Sequence, residues 1–264
     1  MIASDGRRSA IAARGPRLAC RRVTTVLAAV AVAAGAMLAS ATGFGFSLVC
    51  APLLFALLGP PRAVGLLIVL GALVNALILA AERRRPRPLR RETAVVLACA
   101  APGAVVGVAV LRALDAVALQ LMLTAAVLLT LLVRGRTVRR APPWGAPLAG
   151  FAAGALTTST STSGPPLLTY ILGRGHEPGQ VRDTLTLCFL CLSPIGALAL
   201  WLTGTHDAVP GLGLVAALVP VTVLGHLAGR RVFARLAAGG RYEPVMTGVL
   251  LASVAMGLIG AVVS

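Results

Sequence analysis

Ten apolar stretches separated by short polar breaks dominate this chain, at about 23–40, 44–58, 63–81, 93–111, 117–133, 146–160, 165–173, 181–203, 210–228 and 243–263. A helix that crosses a bilayer needs ~20 apolar residues, within a range of ~17–25. Six or seven of the stretches reach that length outright. Inside lipid every backbone polar group must find its partner within the protein, which favours helices. The expected fold is therefore all-α, a polytopic transmembrane helical bundle of about 8–10 membrane segments. Composition agrees. Of the 264 residues 58% are hydrophobic and 12% charged, with a mean hydropathy of +0.91. A soluble domain carries roughly a quarter of its residues charged.

The net charge is +16, and its cationic residues are all arginine. In a soluble protein a pI near 11.7 would point to nucleic acid. Here the arginines sit in clusters between apolar runs, the pattern of cytoplasmic loops beside anionic lipid head groups, so no nucleic-acid partner is expected. Loop 82–91 holds six Arg, loop 134–143 four and loop 229–242 four. Loops 59–62, 112–116 and 204–209 hold one, one and none. Placing the rich loops in the cytoplasm and the poor ones outside gives a consistent alternation. It requires an odd number of crossings per half, and so inverted halves. The N-terminus conflicts with this scheme, because residues 1–22 fall outside yet carry six Arg. Either the true start lies further along, or the tail is tolerated, or the halves run parallel. That Arg-rich tail is expected to be disordered. Arg17, Arg21 and Arg22 before Val26–Leu38, with Ala39-Ser40-Ala41 following, mimic a secretory signal. Cleavage is not expected, because the next residues belong to a motif that recurs.

The recurrence is an internal duplication. Ala51-Pro52-Leu53-Leu54-Phe55-Ala56-Leu57-Leu58-Gly59 aligns with Pro165-Pro166-Leu167-Leu168-Thr169-Tyr170-Ile171-Leu172-Gly173 at an offset of 114. Pro61-Arg62-Ala63-Val64 then meets Pro178-Gly179-Gln180-Val181 after a three-residue insertion. The chain thus divides into a tail (1–22), a first repeat (23–133), a basic loop (134–143) and a second repeat (144–264). Each half opens with a pair of stretches interrupted by Gly and Pro, the sign of broken or re-entrant helices that line a site.

The strongest local feature is Thr157-Thr158-Ser159-Thr160-Ser161-Thr162-Ser163-Gly164-Pro165-Pro166. Hydroxyls in an apolar setting need partners. Some can bond back to their own helix or pack between helices. Neither role explains the Gly-Pro-Pro ending, since Pro stops a helix and Gly lets the backbone turn. The run reads as a linker between two half-helices, whose free N–H groups form an anion site without a charged side chain. Thr42-Gly43-Phe44-Gly45-Phe46-Ser47 occupies the matching place in the first half.

These elements resemble the sulfite exporter TauE/SafE family of membrane permeases. The resemblance is carried by Gly43-Phe44-Gly45 with Pro52, by Ser163-Gly164-Pro165-Pro166 with Tyr170, and by Val181-Arg182-Asp183-Thr184, over about residues 26–263. The family shows a denser glycine cluster where this chain has Phe44 and Phe46. The resemblance implies a permease for sulfite, sulfonates or related small anions, driven by an ion gradient, in the inner membrane.

The spans support an anion by what they lack. No Asp or Glu stands mid-span, whereas cation and proton pumps generally need one there. Expected binding residues are Thr42, Gly43, Gly45 and Ser47 from the first half. The second half would add Thr158, Ser161, Ser163, Gly164 and Pro165, with Arg182 supplying attraction. Asp183 and His226 are the candidates for coupling to an ion. Asn75 and Gln120 read as interhelical glue. Cys188-Phe189-Leu190-Cys191 invites a thiol relay, but a lipid-buried thiol is inert. An intramembrane enzyme lacks its signature: no GxSxG and no His/carboxylate cluster occurs. No cofactor and no metal are expected. The partners are a small anion, the bilayer and a coupling ion.

Overall fold

The computed structural model describes residues 5–81, 86–134, 144–174, 176–238 and 248. The apolar stretch 243–263, residue 248 apart, and most of the basic loop 134–143 lie outside them. Nine α-helices are described: α1 (Asp5–Thr42), α2 (Phe46–Leu58), α3 (Pro60–Ala81), α4 (Arg90–Ala113), α5 (Ala116–Arg134), α6 (Gly145–Ser159), α7 (Gly164–Leu172), α8 (Pro178–Leu202) and α9 (Leu212–Ala238). A 3-10 turn, His206–Ala208, joins α8 to α9. Five segments are long and apolar enough to cross a membrane: Thr24–Thr42, Pro60–Ala81, Arg90–Ala113, Gly179–Leu202 and Leu212–Val232. The chain is a polytopic helical membrane protein.

Two boundaries differ from the sequence expectation. Residues 5–22 continue α1 as helix where an unstructured tail was expected. Alanine, leucine and arginine are strong helix formers, and a helix already nucleated by the span behind them extends at little cost. At the other end, α9 continues through Gly229 and on past Arg230 and Arg231 to Ala238, and the stretch 230–238 holds no Gly or Pro.

The halves are assembled by exchange. The opening helix of each half packs along the fourth helix of the other, α1 on α9 and α6 on α4. Glycine permits both approaches. A Cβ added at Gly103 or Gly107 of α4 would stand 2.1 Å from the carbonyl oxygens of Phe151 and Ala155 of α6. One at Gly150 or Gly154 of α6 would stand 2.4 and 2.0 Å from those of Val96 and Ala100. On α9, Gly225 and Gly229 press in the same way on Ala33 and Met37 of α1. Without a hydrophobic drive between helices in lipid, close backbone contact through small residues is what associates them. Residue numbers rise together along both crossings, so the partners run parallel.

The repeat mates α3 and α8 run antiparallel. The start of α3 (Gly65) touches Ala208, just beyond the end of α8. The start of α8 touches the segment just beyond α3: the Arg87 amide donates to Asp183 Oδ2 at 2.9 Å, and the Leu89 amide to Thr184 Oγ1 at 3.0 Å. The two halves are therefore inverted about an axis between α3 and α8. One face of the bundle gathers Arg87, Arg90, Arg91 and Arg174. The opposite face has Arg112, whose Nε donates to Thr205 at 3.1 Å.

Candidate functional site

α1 and α2 fold against each other as a hairpin, and so do α6 and α7. Each hairpin turns inside the bundle. The first turns on Gly43 and Gly45, both at positive φ (86° and 96°), a region L-residues rarely adopt. The second turns on Thr160–Ser163, with Ser161 at φ 58°, the one non-glycine at positive φ among the described residues. Holding a serine there stores strain of order 1–3 kcal/mol, a cost usually found at working sites.

The two tips meet. Ser47 Oγ lies 3.4 Å from Ser161 Oγ, and the residues are 114 apart. That is the offset of the sequence repeat, so these serines are mates and touch at the pseudo-two-fold axis. Around them is a cavity of about 60 Å³, room for roughly four to six water-sized bodies. It is lined from both tips by Phe44, Gly45, Phe46, Ser47, Ser161, Thr162, Ser163 and Gly164. α3 adds Ile68, Gly71 and Asn75, and α8 adds Phe189, Leu192 and Ser193. None of its lining residues is charged.

Helix ends give the cavity its polarity. α2 and α7 both begin at it, and neither has a side chain capping its first turn. First-turn amides have no partner within their helix. In α2 those are Phe46, Ser47 and Leu48. In α7 Pro165 and Pro166 carry no N–H, so Gly164 remains. The C-terminal ends that also reach the tips are treated differently. Leu156 O at the end of α6 accepts from the Thr160 and Thr162 amides and from the Thr160 hydroxyl. Ser159 donates to Ala155 O and Thr157 to Ala153 O, both at 2.7 Å. Thr42 donates to Leu38 O and Phe44 O. Leu156 O and Thr157 O at the end of α6 are thus engaged, while the first-turn amides of α2 and α7 have no partner within their helices, so the field at the tips favours a negative charge.

The expected site residues separate on this geometry. Gly45, Ser47, Ser161, Ser163 and Gly164 line the cavity. Thr158 does not: its hydroxyl donates to Ala104 O at 2.7 Å and ties α6 to α4. Thr42 caps its own turn, and Pro165 sets the first turn of α7. Gly43 gives room to Arg182, whose Cγ would be 2.8 Å from a Cβ there. Arg182 is not a cavity residue. Its Nη2 reaches Ser40 O at 3.5 Å, placing positive charge on the C-terminal end of α1, where it offsets the helix dipole. Asp183 is buried, accepts from the Arg87 amide and is not among the residues lining the cavity. His226 Nδ1 lies 2.8 Å from Ser40 Oγ and joins α9 to α1.

Sequence reading missed Asn75 and Leu192 as lining residues, and with them Phe189 and Ser193. A signal existed. Asn75 and Leu192 differ by 117, the same spacing as Pro61 and Pro178, so they are repeat mates facing one axis. Asn75 donates from Nδ2 to Gly71 O at 2.8 Å. Gln120, read as glue, does bridge helices: its Nε2 donates to Pro52 O at 3.3 Å. Cys188 is buried with Thr93 beside its sulfur, and Cys50, Cys99, Cys188 and Cys191 are free. Among the described residues no group of His, Cys, Asp or Glu is arranged to hold a metal.

Neither the curated proteins nor the solved structures give a match to this chain. A family model described as "Sulfite exporter TauE/SafE" matches residues 27–258. With nearly the whole sequence matched and the inverted hairpins of the bundle in view, the chain belongs to the sulfite exporter TauE/SafE family of membrane transporters.

Proposed function

We propose that the chain is a secondary permease for sulfite or another small oxoanion, working by alternating access in the cell's inner membrane. The observation that carries this reading is the convergence of two uncapped helix N-termini on an uncharged cavity where the repeat mates Ser47 and Ser161 meet. An anion there accepts from first-turn amides and from the Ser47, Ser161 and Ser163 hydroxyls. Among the described residues the Ser163 hydroxyl has no other partner. The size of the cavity favours a solute of a few heavy atoms, such as sulfite or thiosulfate, over a long organosulfonate. Inverted halves supply the motion: one hairpin and its partner helix rock against the other around a fixed midpoint. The Arg-rich face is the cytoplasmic one by the loop rule. With no carboxylate in the cavity wall, the coupling ion binds elsewhere, and buried His226, beside Ser40 near the tip of α1, is a candidate group for it.

The test is uptake and efflux of labelled sulfite, thiosulfate, sulfate and taurine in proteoliposomes. Wild type moves sulfite or thiosulfate. Ser163→Ala loses one charge-assisted hydrogen bond, worth about 1.5–3 kcal/mol, and weakens apparent affinity about 10- to 100-fold. Movement of a sugar or a metal cation, with no oxoanion carried, overturns the reading.

A further inference from the structure

Three of the chain's six phenylalanines line the cavity, and they do different things. The Phe46 ring is a wedge. Its Cδ2 stands 3.3 Å from where a Gly35 Cβ would be, and its Cδ1 3.6 Å from that of Gly71, so it fills the gap between α1 and α3. Phe44 and Phe189 instead close over one point. Phe44 Cδ2 stands 3.7 Å and Phe189 Cζ 3.9 Å from where a Cβ on Gly164 would be. Gly164 is the first residue of α7 and carries an open amide of the site. The two rings arrive from opposite halves, Phe44 from the first hairpin tip and Phe189 from α8.

A solute whose oxygens accept from Ser163 and the Gly164 amide therefore has two phenyl rings in the wall beside it. A ring offers no hydrogen bond to a polar tail, and it occupies the volume an alkyl tail needs. We infer that Phe44 and Phe189 are the specificity-determining residues of this transporter, limiting it to bare oxoanions and excluding alkyl sulfonates. The inference rests on the oxoanion reading above and adds the residues that set its limit. Each methylene misfit in such a pocket is worth about 10- to 200-fold in discrimination.

The experiment compares sulfite with ethanesulfonate as transported solutes in proteoliposomes of wild type, Phe44→Ala, Phe189→Ala and Phe55→Ala. Wild type is expected to prefer sulfite by at least about tenfold. Phe44→Ala and Phe189→Ala each raise the ethanesulfonate-to-sulfite ratio about tenfold or more, while Phe55→Ala, a buried core truncation outside the cavity lining, lowers thermal stability and leaves the ratio alone. Phe44→Leu and Phe189→Leu keep most of the packing and shift the ratio the same way, which covers a truncation that fails to fold. Sulfite transport that persists with an unchanged ratio in the Phe44 and Phe189 variants overturns the inference and spares the oxoanion reading. So does a wild type that carries both solutes equally. A wild type that carries neither overturns both.

Discussion

Replacing Gly154 by Ala tests how the second hairpin is held. The new Cβ would stand 2.0 Å from Ala100 O, and ordinary contact begins at 3.4 Å, so α6 and α4 must separate by about 1.4 Å. The obstacle is backbone on both sides, so no side chain can swing away. Overpacking of this kind costs about 1–3 kcal/mol. At ~2–4 °C per kcal/mol for a chain of this size, the melting midpoint in detergent should fall by about 2–12 °C. The displacement also travels to the tip, because α6 carries Ser161 at its end. Ser47 and Ser161 are already 3.4 Å apart, at the limit of a hydrogen bond. Misplacing binding groups by about 1 Å costs on the order of 100-fold in rate, so sulfite transport should fall by 10- to 100-fold in the folded fraction. Gly213→Ala is the control, with nothing within 4 Å of its Cβ position and no expected change in either measurement. A Gly154→Ala protein with an unchanged midpoint and full transport rate would refute the close crossing and the dependence of the site on it.

Arg182→Ala should lower the maximum transport rate and leave the KM for sulfite within about twofold, because the guanidinium serves the end of α1 and not the cavity. A large rise in KM would return Arg182 to the binding site. At the basic face, Glu92 accepts from the Tyr170 hydroxyl and pairs with Arg174 at 2.7 Å, fastening the outer end of α7 to the start of α4. That pair is partly exposed and screened by solvent, so it contributes little. Glu92→Gln should change the rate by less than about fivefold, with the change shrinking at high salt; a salt-independent collapse of transport would contradict this. Cys188→Ser with Cys191→Ser should transport at the wild-type rate, and abolition of activity would revive the thiol relay.

The amino-acid order by itself determined the solvent, the class of fold and the duplication. Apolar runs of spanning length leave no alternative to membrane helices, and the 114-residue offset of the Pro-Leu-Leu element marks two related halves. The hairpin breaks at Gly43–Gly45 and before Gly164-Pro165-Pro166 were also legible, because Gly and Pro act on the backbone locally. Only the tertiary structure decided which hydroxyls face the cavity. Ser159 and Thr160 donate to carbonyls of α6 and Thr158 to Ala104 of a neighbour, and none of the three lines the cavity, while Thr157, Ser161, Thr162 and Ser163 do. A hydroxyl's partner depends on which carbonyl lies in reach, and helix packing sets that. The same holds for Arg182, whose position on the end of α1 brings together residues 142 apart. Orientation of the halves needed both sources. The loop arginines suggested inversion, and the antiparallel course of α3 and α8 supplied it, because a pair of repeat mates can share an axis within the membrane plane only by running in opposite directions.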